Sequence, residues 1–118
     1  MHKLKKVICF DIDNTICTTN RNNYLDAKPK YAVIKKINEL YENGYYIKLF
    51  TARFMGRNQE NVKKAKKQGH TLTMIQLKKW NLKFHKLIMG KPSYDLLIDD
   101  KSIYFNKKWY LDIKDYLK

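Results

Sequence analysis

The feature that most constrains this chain is a short apolar run that ends abruptly in carboxylates. The apolar residues of 6–10 are followed by Asp11 and Asp13, one residue apart, and then by Asn14 and Thr15. The run predicts a strand buried on both faces. Carboxylates directly after a strand lie at the carboxyl edge of a sheet, where open α/β sheets bind ligands. Taken alone, these residues are equally compatible with a capped turn.

Apolar spacing predicts that strands alternate with helices along the rest of the chain. The predicted elements are helices over 29–43 and 72–82, and strands over 45–50, 87–89 and 94–98. Within the second helix, Leu72, Ile75 and Trp80 are the expected buried contacts. Alternation of this kind predicts an α/β, three-layer Rossmann-like fold with a central parallel sheet. The length of 118 residues predicts a single domain over 1–118.

Three segments have weaker patterns. Residues 16–28 are polar and predict an irregular flap, and residues 103–118 predict a last short strand or helix. In 54–70, Asn58 is a candidate cap for a short Lys-rich helix that ends at Gly69, in a segment expected to be mobile or exposed. Of the two cysteines, Cys9 is expected in the core and Cys17 in a more accessible position, and neither is predicted to be catalytic.

Polar residues with complementary chemistry follow each predicted strand. Asp11 and Asp13 follow the first strand, and Thr51, Lys91 and the pair Asp99-Asp100 follow the later ones. In a parallel sheet these strand ends converge on one edge. Carboxylates without Cys or His partners suit Mg²⁺, and a hydroxyl and an ammonium suit phosphate oxygens. A carboxylate can also attack phosphorus to give an aspartyl-phosphate.

The ordered set of motifs resembles that of the haloacid dehalogenase-like (HAD) phosphatase superfamily. Residues 11–15, DIDNT, resemble its DxDxT first motif. Residues 49–51, 90–92 and 98–100 resemble its second, third and acidic fourth motifs, in the expected order and spacing. The resemblance covers the chain from about residue 6 to 101, and it implies a HAD-like core.

The resemblance also implies a role for each matching residue. Asp11 would be the nucleophile and a direct Mg²⁺ ligand. Asp13 would protonate the leaving alcohol, then activate water, and its backbone carbonyl would also bind the metal. Thr51 and Lys91 would bind phosphoryl oxygens. In the acidic pair, Asp100 would bind the metal directly and Asp99 through water.

The spacing of the motifs leaves no room for the cap domain that many family members carry. Only about 35 residues separate Thr15 from Thr51, and 29–43 uses much of them, so the chain resembles a capless member with a flap at 16–28. Such members act on large substrates or form homo-oligomers in which a neighbour closes the site. The stretches FDIDNTIC, LFTARFMGR and GKPSYDLLIDD are similar to small bacterial phosphatases of capsule and surface-polysaccharide biosynthesis. That similarity implies a small phosphorylated sugar or polyol-like substrate.

Other functions stay open at this point. The net charge of +14 and the missing cap leave a phosphoprotein or a nucleic acid end as alternative substrates, although the lysines are spread along the chain and nucleic acid is the less favoured partner. Arg53 and Arg57 are candidate substrate contacts. A receiver-type signalling domain is a remote alternative, because receivers place the acidic pair after the first strand. No apolar run reaches membrane-span length, and we expect a cytoplasmic protein without a membrane partner.

Overall fold

The computed structural model describes residues 6–117 and has an α/β architecture around a parallel sheet. The sheet contains β1 (Val7–Phe10), β4 (Tyr46–Thr51) and β5 (Lys86–Met89), in the order β1-β4-β5. Both pairings are parallel, with Phe10 opposite Leu49 and Leu49 opposite Leu87. The predicted α/β class with a central parallel sheet is therefore confirmed.

Three helices accompany the sheet: α1 (Tyr31–Glu42), α2 (Val62–Lys79) and α3 (Trp109–Tyr116). Helix α1 buries Val33, Ile34, Ile37 and Leu40, which recur at helical spacing. In β4 the buried residues alternate along the strand, as expected when one face of a strand packs on the core. None of the described helices combines the length and the apolar character that a bilayer crossing requires.

The flap is more ordered than the sequence predicts. It contains two short antiparallel strands, β2 (Cys17–Thr18) and β3 (Lys28–Pro29), joined through a 3-10 turn over Tyr24–Asp26. Ile16 and Ala27 are buried near its two ends. These apolar anchors fix the base of the flap, while most of the residues between them remain exposed.

The prediction that a helix ends at Gly69 is wrong, because α2 runs without a break through that residue. The helix begins after Asn61, whose side chain accepts a hydrogen bond from the Lys64 N–H at 3.1 Å, and Asn58 lies in a preceding 3-10 turn. A Cβ at position 69 would collide with the ring of Phe54. Glycine is needed here so that Phe54 can pack directly against the helix, and it does not act as a stop signal.

The faces of α2 also differ from the prediction. Leu72 and Ile75 are exposed, whereas Thr73, Gln76 and Leu77 are buried. Among the predicted contacts of this helix, only Trp80, its C-cap, is buried. The buried face of α2 carries polar side chains, whose partners are described below. A search for apolar residues at helical spacing does not detect such a face.

The predicted strand over 94–98 does not form. Its apolar residues are exposed, with Ile98 at 90% of its full accessible surface. Strand β1 consequently lies at an edge of the described sheet and is not buried on both faces as predicted. The exposure of the two cysteines is also the reverse of the prediction, with Cys9 exposed in β1 and Cys17 buried in β2. The end of the chain forms a helix, α3, whose Trp109 packs on Phe10 with ring centroids 5.4 Å apart.

Candidate active site

An open pocket lies where the carboxyl ends of β1, β4 and β5 meet. Its volume is about 450 Å³, and both Asp11 and Lys91 reach it. A larger groove of about 580 Å³ along α1 shares no lining residue with this pocket and contains none of the predicted reactive groups. We take the smaller pocket as the candidate site because the predicted reactive groups converge on it. It is lined by Asp11, Asp13, Asn14, Arg21, Asn22, Tyr24, Ala52, Arg53, Gly56, Lys91, Pro92, Ser93 and Tyr94.

Asp11 and Lys91 form an ion pair at this pocket, with Nζ and Oδ1 3.4 Å apart. Burial raises the pKa of the Asp11 carboxyl, although Lys91 acts in the opposite direction. For Lys91, burial alone would lower the pKa, but contacts with Tyr94 and Asp11 outweigh it, so the pKa is raised. The pocket therefore contains the ammonium group of Lys91, which can bind an anionic ligand next to the Asp11 carboxylate.

The backbone around Gly90 fixes the position of Lys91. The Lys91 N–H donates to the carbonyl oxygen of Thr51 at 3.0 Å, which ties the end of β5 to the end of β4. Gly90 has a φ of +97°, and a Cβ there would lie 2.8 Å from Cγ1 of Val62. Glycine is required at this turn for both reasons.

Asp13 is held by a buried arginine. Arg53 donates from Nε to Oδ2 at 3.0 Å and from Nη2 to Oδ1 at 2.9 Å, and its side chain is only 2% exposed. The Thr19 hydroxyl donates to the same Oδ1 at 2.5 Å, and the Cys17 thiol lies 3.7 Å from it. Sequence reasoning made Arg53 a candidate substrate contact. The structure instead makes it the partner of Asp13 in the wall of the pocket.

The far side of Arg53 is held by α2. Its Nη1 donates to Oε1 of Gln76 at 2.6 Å and lies 3.5 Å from the Thr73 hydroxyl. Gln76 in turn donates from Nε2 to the carbonyl oxygen of Tyr24 in the flap at 2.7 Å. Sequence reasoning missed Gln76 and Thr73. The available signal was a pair of polar residues three positions apart, which share one helix face.

Arg57 does not line the pocket, and its side chain contacts both the flap and the segment after β4. Its guanidinium carbon lies 4.5 Å from the ring centroid of Phe54 and 5.7 Å from that of Tyr24. Its Nη2 is 3.5 Å from the carbonyl oxygen of Asn22. These contacts join the flap to the segment after β4, and the substrate contact of Arg57 stays a prediction.

The remaining predicted residues do not reach the pocket. Thr51 is fully buried, and its hydroxyl accepts a hydrogen bond from the Arg53 N–H at 3.1 Å. Asp99 and Asp100 are exposed residues outside the pocket lining, and Oδ1 of Asp99 accepts from the Lys101 N–H at 2.9 Å. The predicted convergence therefore holds for Asp11, Asp13 and Lys91, but not for the acidic pair.

The predicted Mg²⁺ site can be compared with the observed positions of its carboxylates. Within residues 6–117, no three acidic, His or Cys side chains come together as metal ligands. The pocket itself offers two carboxylates, and each already has a cationic partner. Mg²⁺ prefers an octahedral shell of oxygen ligands, and in this arrangement the pocket supplies only part of that shell.

Comparisons with known proteins support the fold. Neither protein-family models nor curated proteins give a match to this chain. The structure is similar to the crystal structure of an MCSG target from Vibrio cholerae, with a TM-score of 0.72 and 27% sequence identity. The similarity covers 96% of this chain and 99% of that one. The architecture is therefore shared along nearly the whole length of both chains.

Proposed function

We propose that this protein is a capless phosphatase of the HAD-like type that hydrolyses phosphomonoesters through an aspartyl-phosphate. The observation that carries the proposal is the Asp11–Lys91 pair, 3.4 Å apart at the carboxyl edge of a parallel sheet, with Asp13 in the same pocket. A carboxylate beside an ammonium supplies a nucleophile and a partner for the phosphoryl oxygens. The order of the four sequence motifs, to which these residues belong, also supports the proposal.

In the proposed reaction, the Asp11 carboxylate attacks phosphorus, and the bond from phosphorus to the leaving alcohol breaks. Asp13 must be protonated when the substrate is bound, and it gives this proton to the departing oxygen. Asp13 then takes a proton from water, which attacks the phosphorus of the aspartyl-phosphate and restores Asp11. Lys91 binds the phosphoryl oxygens. Thr51 contributes by holding the Lys91 loop through its carbonyl oxygen, since its side chain is buried.

We further propose that the enzyme uses Mg²⁺, although the described arrangement is not a complete site for it. The resemblance assigns the metal to Asp11, the Asp13 carbonyl and Asp100, with Asp99 acting through water. Bound Mg²⁺ would offset the negative charge of the phosphate ester and the carboxylates. Asp100 would have to approach the pocket for this, and its segment has few contacts that oppose such a movement.

The Mg²⁺ proposal can be tested without an activity assay. Millimolar Mg²⁺ should raise the melting temperature of the unmutated protein, because binding to the folded state stabilises it. The shift should shrink in Asp100→Asn and persist in Asp95→Asn, a matched change in the same exposed segment. An absent shift in the unmutated protein would remove the metal from the proposal.

For the substrate, we propose a small phosphorylated sugar or polyol-like metabolite of capsule or surface-polysaccharide biosynthesis, hydrolysed in the cytoplasm. A phosphoprotein or a nucleic acid end is the second candidate, and it is favoured by the open pocket and the net charge of +14. Activity on oligonucleotide ends that falls steeply with salt would support the second candidate. A homo-oligomer that closes the pocket is compatible with both substrates.

A chromogenic phosphate ester provides the primary test of phosphatase activity. The unmutated protein should release phosphate, and Asp11→Asn should lower kcat by about 10³-fold or more because the nucleophile is lost. Asp95→Asn should keep full activity. Full activity in Asp11→Asn would reject this mechanism, and a subsequent screen of sugar, polyol and amino-alcohol phosphates would define the substrate.

A further inference from the structure

A continuous set of polar contacts runs from the flap to the carboxylate of Asp13. It passes from the Tyr24 carbonyl to Gln76 at 2.7 Å, and from Gln76 to Nη1 of Arg53 at 2.6 Å. Arg53 then makes a two-pronged contact with Asp13. We refer to Tyr24, Gln76, Arg53 and Asp13 as the flap relay. It joins the flap, α2, the end of β4 and the end of β1 through contacts between residues that are distant in sequence.

We propose that Arg53 is a positioning residue for Asp13, and that Gln76 couples Arg53 to the flap, so that the flap and the Asp13 carboxylate change position together. This proposal deepens the proposed function and rests on it, because it takes Asp13 as the acid and base of the reaction. It assigns a role to two residues, Arg53 and Gln76, that need not touch the reacting phosphate.

The burial of Arg53 argues for a positioning role. Its side chain is 2% exposed, so its charge is removed from water and its energy depends on the partners it meets. Nε and Nη2 face Asp13, whereas Nη1 faces Gln76. The guanidinium is planar, so Asp13 and Gln76 cannot move independently without losing bond geometry. Lysine has no such planar fork and could not hold both partners in the same way.

The aromatic ring of Tyr24 adds a second tie between the flap and the arginine. The guanidinium carbon of Arg53 lies 5.1 Å from the centroid of that ring. A cation over an aromatic face is attracted by the ring, and burial strengthens the attraction. Tyr24 therefore contacts Gln76 through its carbonyl and Arg53 through its ring. Movement of the flap changes both contacts at once.

The relay has a consequence for substrate selection. Arg21 and Asn22 line the pocket and precede Tyr24 by three and two residues. A substrate that contacts them acts on the same short segment that Gln76 holds. Contact with the flap then alters the orientation of Asp13, so a poorly fitting substrate loses turnover as well as affinity. Specificity would appear in kcat in addition to KM.

Two substitutions at position 76 distinguish the contact of Gln76 with Arg53 from its contact with the Tyr24 carbonyl. Gln76→Leu removes both contacts. Gln76→Glu keeps an acceptor for Arg53, but an ionised carboxylate cannot donate to the Tyr24 carbonyl. Thr71→Leu is the matched control, because Thr71 is an exposed residue of the same helix. Both positions, 71 and 76, lie on α2, so these substitutions leave Asp11, Asp13 and Lys91 unaltered.

The first readout is independent of catalysis. Limited digestion with trypsin, followed by mass analysis of the fragment ending at Arg21, measures how readily the flap opens. We expect several-fold faster cleavage after Arg21 in Gln76→Leu and Gln76→Glu, and no change in Thr71→Leu. Unchanged cleavage in both variants at position 76 would overturn the coupling, even in an enzyme with full activity.

The second readout is steady-state turnover. Gln76→Leu should lower kcat, by up to about 10²-fold if Asp13 is displaced by an ångström, with little change in KM for a minimal phosphate ester. Arg53→Lys should lower kcat as well, since charge without the planar fork does not restore the geometry. An unchanged kcat in Gln76→Leu would overturn the positioning role. If the unmutated protein has no phosphatase activity, the proposed function fails, whereas the digestion result still decides the flap coupling.

Discussion

The two sides of the pocket are built in different ways. On the flap side, Asp13 has three side-chain partners, and Arg53 behind it is almost fully buried. On the opposite side, the residues from 92 to 108 are exposed except for the partly buried Ile103, and they form neither helix nor strand. Ser93, which bonds to Glu60 at 2.8 Å, is one of the few polar ties of that segment to the rest of the molecule.

This difference shows which part of the site is preorganised. The carboxylate that would carry protons is fixed by charge-assisted bonds in a buried environment. The acidic pair that would bind a metal lies on a segment with little to hold it in place. A reaction that uses residues from both sides of the pocket therefore requires 92–102 to be fixed next to the flap side. A substrate or a cation that contacts both sides would supply the binding free energy for this change.

The largest effect should come from removal of the buried charge on the ordered side. Arg53→Met should lower the free energy of unfolding by about 3 kcal/mol, because Asp13 is left without its cationic partner. Arg21→Met changes an exposed arginine of the same pocket and should cost less than about 0.5 kcal/mol. Urea unfolding of both variants tests the comparison. Equal small losses would show that the buried contact between Arg53 and Asp13 does not stabilise the flap side.

A smaller loss is expected where α2 meets the segment after β4. Gly69→Ala should destabilise by about 1–3 kcal/mol, since the added methyl displaces the Phe54 ring. The gain in helix propensity of about 1 kcal/mol offsets part of that cost. Gly56→Ala is the control, because a Cβ there meets nothing within 4 Å. Thermal unfolding that ranks the two variants in the opposite order would contradict the packing of Phe54.

The pH dependence of stability tests the environment of Asp11. Its folded-state pKa is raised above the ordinary 3.8, so the native state binds this proton more tightly than the unfolded chain does. The Asp11 contribution to stability is therefore present at low pH and is lost as pH rises from about 3.8 through the raised value. Asp11→Asn removes that loss, so its stability relative to the unmutated protein should increase from pH 3 to pH 7. A relative stability that falls over this range would indicate a lowered pKa.

The smallest effect should occur on the exposed side. Ile98→Ser should change the free energy of unfolding by less than about 0.5 kcal/mol, because Ile98 is 90% exposed and has no packing to lose. Ile47→Ala, at a fully buried position of β4, should cost about 2–5 kcal/mol and serves as the contrast. A loss above 1 kcal/mol in Ile98→Ser would show that 92–102 is packed in solution. That result would remove the difference between the two sides.

Sequence reasoning predicted the elements whose apolar pattern matches their burial. Strand β4 and helix α1 were found because alternation and helical spacing report directly on one buried face. The meeting of Asp11, Asp13 and Lys91 followed from the parallel sheet alone. The strand over 94–98 was predicted wrongly, because an apolar run does not show whether the segment pairs with the free edge of β1.

The rest of the site could not be predicted because it depends on pairings between distant polar residues. Arg53 and Gln76 are 23 positions apart, and local spacing does not show that their side chains meet. Gly69 was taken as a stop signal for a helix. Its true role depends on Phe54, which reaches α2 from a loop whose backbone has a φ of +67°. Neither fact is visible until the chain has been folded.

The reversal of the two cysteines gives the molecule a pair of chemically identical reporters in opposite settings. Cys9 is exposed on the edge strand, whereas Cys17 is enclosed at the base of the flap. Burial raises the pKa of both thiols, and for Cys9 the nearby Lys91 and Lys48 oppose that effect. Alkylation of Cys9 should therefore proceed at once, and alkylation of Cys17 should wait for the flap to lift. The ratio of the Cys17 labelling rate to the Cys9 labelling rate therefore measures the equilibrium between the closed and open flap. The exposed Cys9 serves as the internal reference for Cys17.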